Sequence, residues 1–169
     1  MKIAGIGAII SAFFLLSLTL TGNKKAEINC LAELCTGFAL IRAELGTRLT
    51  PMPELLSLLT ERCQGPAGSF FRAIGTALPL LEEKDFSTLW NAAAEEYLGC
   101  LSQRELETVK KAGGVLGKYE LSEQISVIAS CLAELRGAEE KLRAGYPQSR
   151  RLLFGISAAA GGFIIILLL

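Results

Sequence analysis

The chain has 169 residues, enough for one modest domain, and its 17 basic and 17 acidic side chains cancel overall. They are unevenly placed: residues 26–149 hold all 17 acidic and 12 of the basic side chains, a net charge of −5, which excludes a nucleic-acid binder with its basic face. There is no histidine, so Ser-His-Asp and Cys-His catalysis, His-ligated metals and the usual general base near neutral pH are excluded as well.

Residues 3–22 read IAGIGAIISAFFLLSLTLTG and contain no charge. About 20 helical residues cross a bilayer core, so a transmembrane helix is expected over 1–22. Lys24 and Lys25 follow it. A helix then continues to about Leu45, because Ile28, Leu31, Cys35, Phe38, Ile41 and Leu45 recur at steps of three and four. LTPMPELL (49–56) comes next. Thr50 is expected to cap a second helix, with Pro51 and Pro53 in its first turn, where a missing N–H costs little. Leu55, Leu56, Leu58 and Leu59 carry that helix to Cys63, and QGPAG (64–68) is expected to break it. Phe70, Phe71, Ile74, Ala77 and Leu78 form a third apolar face, ending around Pro79 to Lys84.

Asp85, the sole aspartate, is a candidate N-cap for a fourth helix that buries Phe86, Leu89, Trp90, Ala93, Tyr97 and Leu101. Ser102 and Glu105 fit a capping box for a fifth, continued by Leu106, Val109, Gly113 and Leu116. A last helix places Leu121, Ile125, Ile128, Leu132, Leu135 and Leu142 on one face, with Glu139 interrupting it, and is expected to end at Gly145-Tyr146-Pro147. Arg150 and Arg151 then precede eighteen uncharged residues, LLFGISAAAGGFIIILLL, a second membrane helix over 152–169. No segment alternates like a strand. The fold class is all-α: a six-helix bundle over residues 23–149 between an N-terminal and a C-terminal transmembrane helix.

Lys24, Lys25, Arg150 and Arg151 outweigh Lys2 and the amino terminus, which puts the helical domain in the cytoplasm by the positive-inside rule. The alternative is a cleaved signal peptide and a tail anchor, giving a helical module that binds an extracytoplasmic partner. Gly7 with Ser11, Ser157 with Gly161 and Ala158 with Gly162 have the small-xxx-small spacing that lets membrane helices approach closely.

Candidate chemistry is sparse. Glu82-Glu83, Glu95-Glu96 and Glu139-Glu140 are adjacent in sequence, about 100° apart on a helix, and read as solvated faces. AGGVLGK (112–118) is one residue too short for a phosphate-binding loop, and Tyr119 stands where Ser or Thr is needed. Gly113 and Gly117 read as packing and C-cap residues. Cys30, Cys35, Cys63, Cys100 and Cys131 are odd in number, with no CxxC, and read as reduced packing residues. No cofactor, metal or small-molecule substrate is expected, and no enzyme.

Two motifs resemble the stage III sporulation protein AB family of endospore-forming bacteria, and the resemblance spans nearly the whole chain. One is Glu44-Leu45 followed by Thr50-Pro51-Met52-Pro53-Glu54-Leu55, similar to the family's acidic-aliphatic pair and T-P-L-P-E segment. The other is Gly113, Leu116-Gly117-Lys118-Tyr119-Glu120 and Gln124, similar to G-x-x-L-G-x-S-D-x-x-x-Q, with Tyr119 and Glu120 departing from it. The resemblance implies a membrane component of the mother cell–forespore channel, in the mother-cell membrane facing the forespore. It also implies a domain similar to the six-helix cytoplasmic domain of the platform protein of type II secretion and type IV pilus machines. The implied partners are the stage III sporulation protein AA ATPase and other stage III membrane proteins.

Overall fold

The computed structural model is all-helical. It describes residues 23–47, 50–81 and 85–145 in full, and past these gives only the bounds of the helices that continue beyond them. Six α-helices follow in order: α1 (Lys2–Thr47), α2 (Met52–Arg62), α3 (Gly65–Ala77), α4 (Phe86–Tyr97), α5 (Gln103–Val115) and α6 (Leu121–Leu168), with a 3-10 segment (Leu78–Glu82) after α3. No strand occurs among the described residues.

The chain divides into two compact units. The outer ends of α1 and α6, Met1–Ala26 and Lys141–Leu169, make one; Glu27–Glu140 makes the other and holds the core. No helix among the described residues is long and apolar enough to cross a membrane. The spans expected over 1–22 and 152–169, with Arg150 and Arg151, lie outside the residues described in full. Lys24 and Lys25 are exposed.

The stripes seen in the sequence become the core of the second unit. Ile28, Leu31, Cys35, Phe38 and Ile41 of α1 are buried and Leu34 joins them, while α6 buries Ile128, Cys131, Leu132 and Leu135. From α2 to α5 each helix packs on the next in the chain. Leu55, Leu56 and Leu59 face inward from α2, and Phe70, Phe71 and Ile74 from α3.

Trp90 of α4 stands at the centre, 1% exposed. Its ring centroid lies 4.9 Å from Phe70, 5.7 Å from Phe86, 6.2 Å from Phe71 and 6.5 Å from Phe38, mostly edge to face. Such contacts are worth about 0.5–1.5 kcal/mol each beyond the area they bury. The indole Nε1–H donates to the carbonyl of Val109 at 2.8 Å, so the single polar atom of the side chain is satisfied inside the core. Helix geometry points that same carbonyl toward the N–H of residue 113. The indole can lie there only because residue 113 is glycine: a Cβ would come within 2.2 Å of the ring.

Several local expectations yield to tertiary packing. The break expected at QGPAG is present but shorter, confined to Cys63 and Gln64, because α3 already begins at Gly65 with Pro66 in its first turn, where proline is tolerated. Glu33 of α1 completes that start by accepting from the Gln64 N–H at 2.9 Å. The Ser102–Glu105 capping box does not form. Ser102 is the N-cap of α5 without a side-chain cap bond, and Glu105 is turned inward, its Oε2 without a partner among the protein atoms described. Asp85 also sits at an N-cap position, but its carboxylate reaches Lys118 Nζ at 3.1 Å instead of the helix start.

Further along, α4 ends at Tyr97, so Tyr97 is 36% exposed and Leu101 falls in the connection to α5. Leu121, expected on the buried face of the last helix, is 38% exposed at the start of α6. No break occurs at Gly145-Tyr146-Pro147, and α6 continues to Leu168. A proline removes one backbone bond, and a long helix bonded on both sides can absorb that loss.

Replacing Gly113 by alanine should destabilise the chain by about 1–3 kcal/mol through overpacking against Trp90. Urea unfolding of the purified protein measures this, and an unchanged midpoint would contradict the packing described for the indole.

Motif corners and candidate interaction surfaces

The first motif forms the corner between α1 and α2. Glu44 lies near the end of α1, and its Oε2 accepts from the Thr50 hydroxyl at 2.6 Å. A charge-assisted bond of this kind holds the incoming chain against the helix that has just ended. Thr50 is therefore not the N-cap expected for it: Pro51 holds that position with φ −56° and ψ 144°, and no side chain caps α2. The carbonyl of Pro51 accepts from the Leu55 N–H at 3.0 Å, Pro53 falls in the first turn, and exposed Glu54 adds a negative charge beside the positive helix start.

The second motif forms the corner between α5 and α6. Gly113 receives Trp90 as described, and Leu116 is buried at the end of α5. Gly117 follows with φ +77°, a left-handed turn that costs other residues about 1–2 kcal/mol. Gln124 then ties the corner from the first turn of α6. Its Nε2 donates to the carbonyl of Tyr119 at 2.6 Å, and its Oε1 accepts from the Gly117 N–H at 3.3 Å. Glu120 contributes its backbone, its carbonyl accepting from the N–H groups of Glu123 and Gln124 at 3.0 Å. Lys118 reaches back to Asp85 and to Ser87, fastening the same corner to the start of α4.

Neither corner assembles a reactive group. Among the described residues, no three His, Cys, Asp or Glu side chains lie close enough to hold a metal ion. Two open grooves lie among the described residues. In one, Ser69, Arg72, Ala73, Thr76 and Ala77 of α3 face Leu80 of the 3-10 segment and Tyr97 of α4. In the other, Ala39, Arg42, Ala43, Gly46 and Thr47 of α1 lie beside Leu132 and Arg136 of α6. The second has a smooth floor of small side chains between two exposed guanidinium groups. Neither arginine takes part in an ion pair among the described residues.

The cysteines are mostly packing residues. Cys35, Cys63 and Cys131 are buried, and burial pushes the Cys35 and Cys63 thiols up to about 11 and raises that of Cys131. The negative charge of Glu139, which interrupted the apolar stripe of α6, adds to the rise at Cys35. Cys30 is buried as well, whereas Cys100, in the connection between α4 and α5, is only half-buried.

A family model for stage III sporulation protein AB matches residues 2–169. The chain belongs to that family. Membership gives it a role in sporulation, in a family of structural components. A solved structure of a stage III sporulation protein AB has a TM-score of 0.65 with this chain at 18% identity, covering 72% of this chain and 97% of the other, which is a likeness of fold. No curated protein sequence matches the chain at a significant level. The two motifs similar to those of the stage III sporulation protein AB family are thus corner-forming devices in this chain.

Substituting Gly117 by alanine should cost about 1–2 kcal/mol from the left-handed backbone. Gln124→Ala, which releases both corner bonds, should cost a similar amount, about 1–2 kcal/mol. Both are read from urea midpoints, and hydrogen exchange of residues 116–124 should quicken first.

Proposed function

We propose that this chain is a non-enzymatic, membrane-anchored platform of the mother cell–forespore channel, whose helical domain lies in the mother-cell cytoplasm and receives a secretion-type ATPase. The observation that carries this reading is the α1–α6 groove: a concave site flanked by Arg42 and Arg136 on a domain whose net charge is −5. Guanidinium groups recognise carboxylates through paired hydrogen bonds, and the floor of Ala39, Ala43 and Gly46 lets a partner helix approach closely. The family supports the setting, and the stage III sporulation protein AA ATPase is the partner that this reading assigns to the groove.

Membrane attachment rests on the two uncharged segments within 1–22 and 152–169, and Lys24, Lys25, Arg150 and Arg151 favour a cytoplasmic domain. The small residues of those segments supply surfaces for other stage III membrane proteins.

Two experiments test the reading. Arg42→Glu together with Arg136→Glu should abolish co-purification of the full-length chain with the ATPase while leaving its unfolding midpoint unchanged. Undiminished co-purification would remove the groove from the interface. In intact mother cells, a cysteine introduced at exposed Glu61 in a Cys100→Ser background should resist an impermeant thiol reagent. Labelling before lysis would place the domain outside and overturn the platform.

A further inference from the structure

Five large apolar side chains are exposed among the described residues, and they fall into two groups. Leu80, Leu81 and Tyr97 are 46%, 42% and 36% exposed; Leu80 and Tyr97 line the α3–α4 groove, and Leu81 follows directly. Ala73 and Ala77 keep that groove open, and exposed Arg72 lines it as well. Tyr119 and Leu121, 52% and 38% exposed, stand out at the α5–α6 corner, next to exposed Glu120 and Glu123. Arg72 and these two glutamates take no part in ion pairs among the described residues. One group is concave and carries a guanidinium; the other is a turned corner and carries two carboxylates.

We propose that the two groups meet between copies of this chain: the α5–α6 corner of one seats in the α3–α4 groove of a second, which returns the contact. Charge complementarity selects this occupant. Arg72 calls for a carboxylate beside an apolar group, and Glu120 and Glu123 offer two beside Tyr119 and Leu121. A net charge of −5 over residues 26–149 makes two copies repel elsewhere, and here opposite charges meet. The two groups are also neighbours on one chain. Lys118 reaches Asp85 at 3.1 Å and Ser87 at 3.5 Å, which fixes the corner against the segment that follows Leu80 and Leu81. Donor and acceptor side by side make a self-complementary surface, the condition for a two-fold dimer.

Removal of these leucines and tyrosines from water drives the contact. Gln124 shapes the corner in advance through its bonds to the Tyr119 carbonyl and the Gly117 N–H, so little ordering is lost on docking. Stable interfaces bury about 1,200–2,000 Å² in total, and a two-fold axis counts the same pair of patches twice. None of these residues lines the α1–α6 groove, so the dimer is independent of the site assigned to the ATPase.

The test uses the full-length chain in phosphatidylcholine vesicles, with photoreactive benzoylphenylalanine in place of Tyr119 and isotope-labelled chains mixed with unlabelled ones. Irradiation should cross-link residue 119 to residues 69–81 of a chain carrying the other label. Arg72→Glu alone, and Glu120→Arg together with Glu123→Arg, should each lower that yield about ten-fold, since like charges then meet. An equimolar mixture of the two variants should restore it, which misfolded chains could not do. Cross-links confined to lipid or to residues of the same chain would overturn the proposal. So would a yield that neither variant changes, or one that the mixture fails to restore.

Discussion

The arrangement of Trp90 against Gly113 is the constraint on which the domain depends. A tryptophan buried to 1% exposure must find a partner for its N–H, and the nearest way to satisfy it is a carbonyl on a neighbouring helix. That carbonyl is Val109, on α5, and it can be reached only if the indole lies flush with the helix surface at residue 113. One hydrogen bond and one missing side chain thereby set the distance between α4 and α5. Four phenylalanines from α1, α3 and α4 then close around the ring and draw those helices to the same centre.

The family motifs take their meaning from this centre. Gly113 belongs to a motif because it receives the indole, and the rest of that motif turns the chain sharply enough for α6 to start beside α5. Glu44 and Thr50 do the same work by a different device at the α1–α2 corner, a carboxylate–hydroxyl bond across a connection of a few residues. The residues that carry the likeness to the family are therefore those that shape the bundle. Between α1 and α6, Arg42 and Arg136 flank a groove that neither helix forms alone.

Much of the architecture was legible in the sequence. The three-and-four spacing of Ile28, Leu31, Cys35, Phe38 and Ile41 named the buried face of α1, and the same rule found the inner faces of α2, α3 and α6. Caps were less legible. Ser102, Asp85 and Thr50 all stood at or next to helix starts, yet none caps a helix with its side chain. Short polar side chains have several possible partners, and propensity does not say which will be near: Lys118 claims Asp85, and Glu44 claims Thr50. The groove could not be read at all, since its two walls are about 90 residues apart in the chain.

What the sequence by itself determined is local: helical class, the buried stripes, the uncharged end segments, the absence of histidine chemistry, and the order and spacing of two motifs. These follow from period, charge and residue type, which act over a few turns. Only the tertiary structure decided what is non-local: that Trp90 rests on Gly113, that Glu33 completes the start of α3, and that two arginines share one groove. Such pairings depend on how helices are spaced and rotated against one another, and that is set by the packing of the whole core at once.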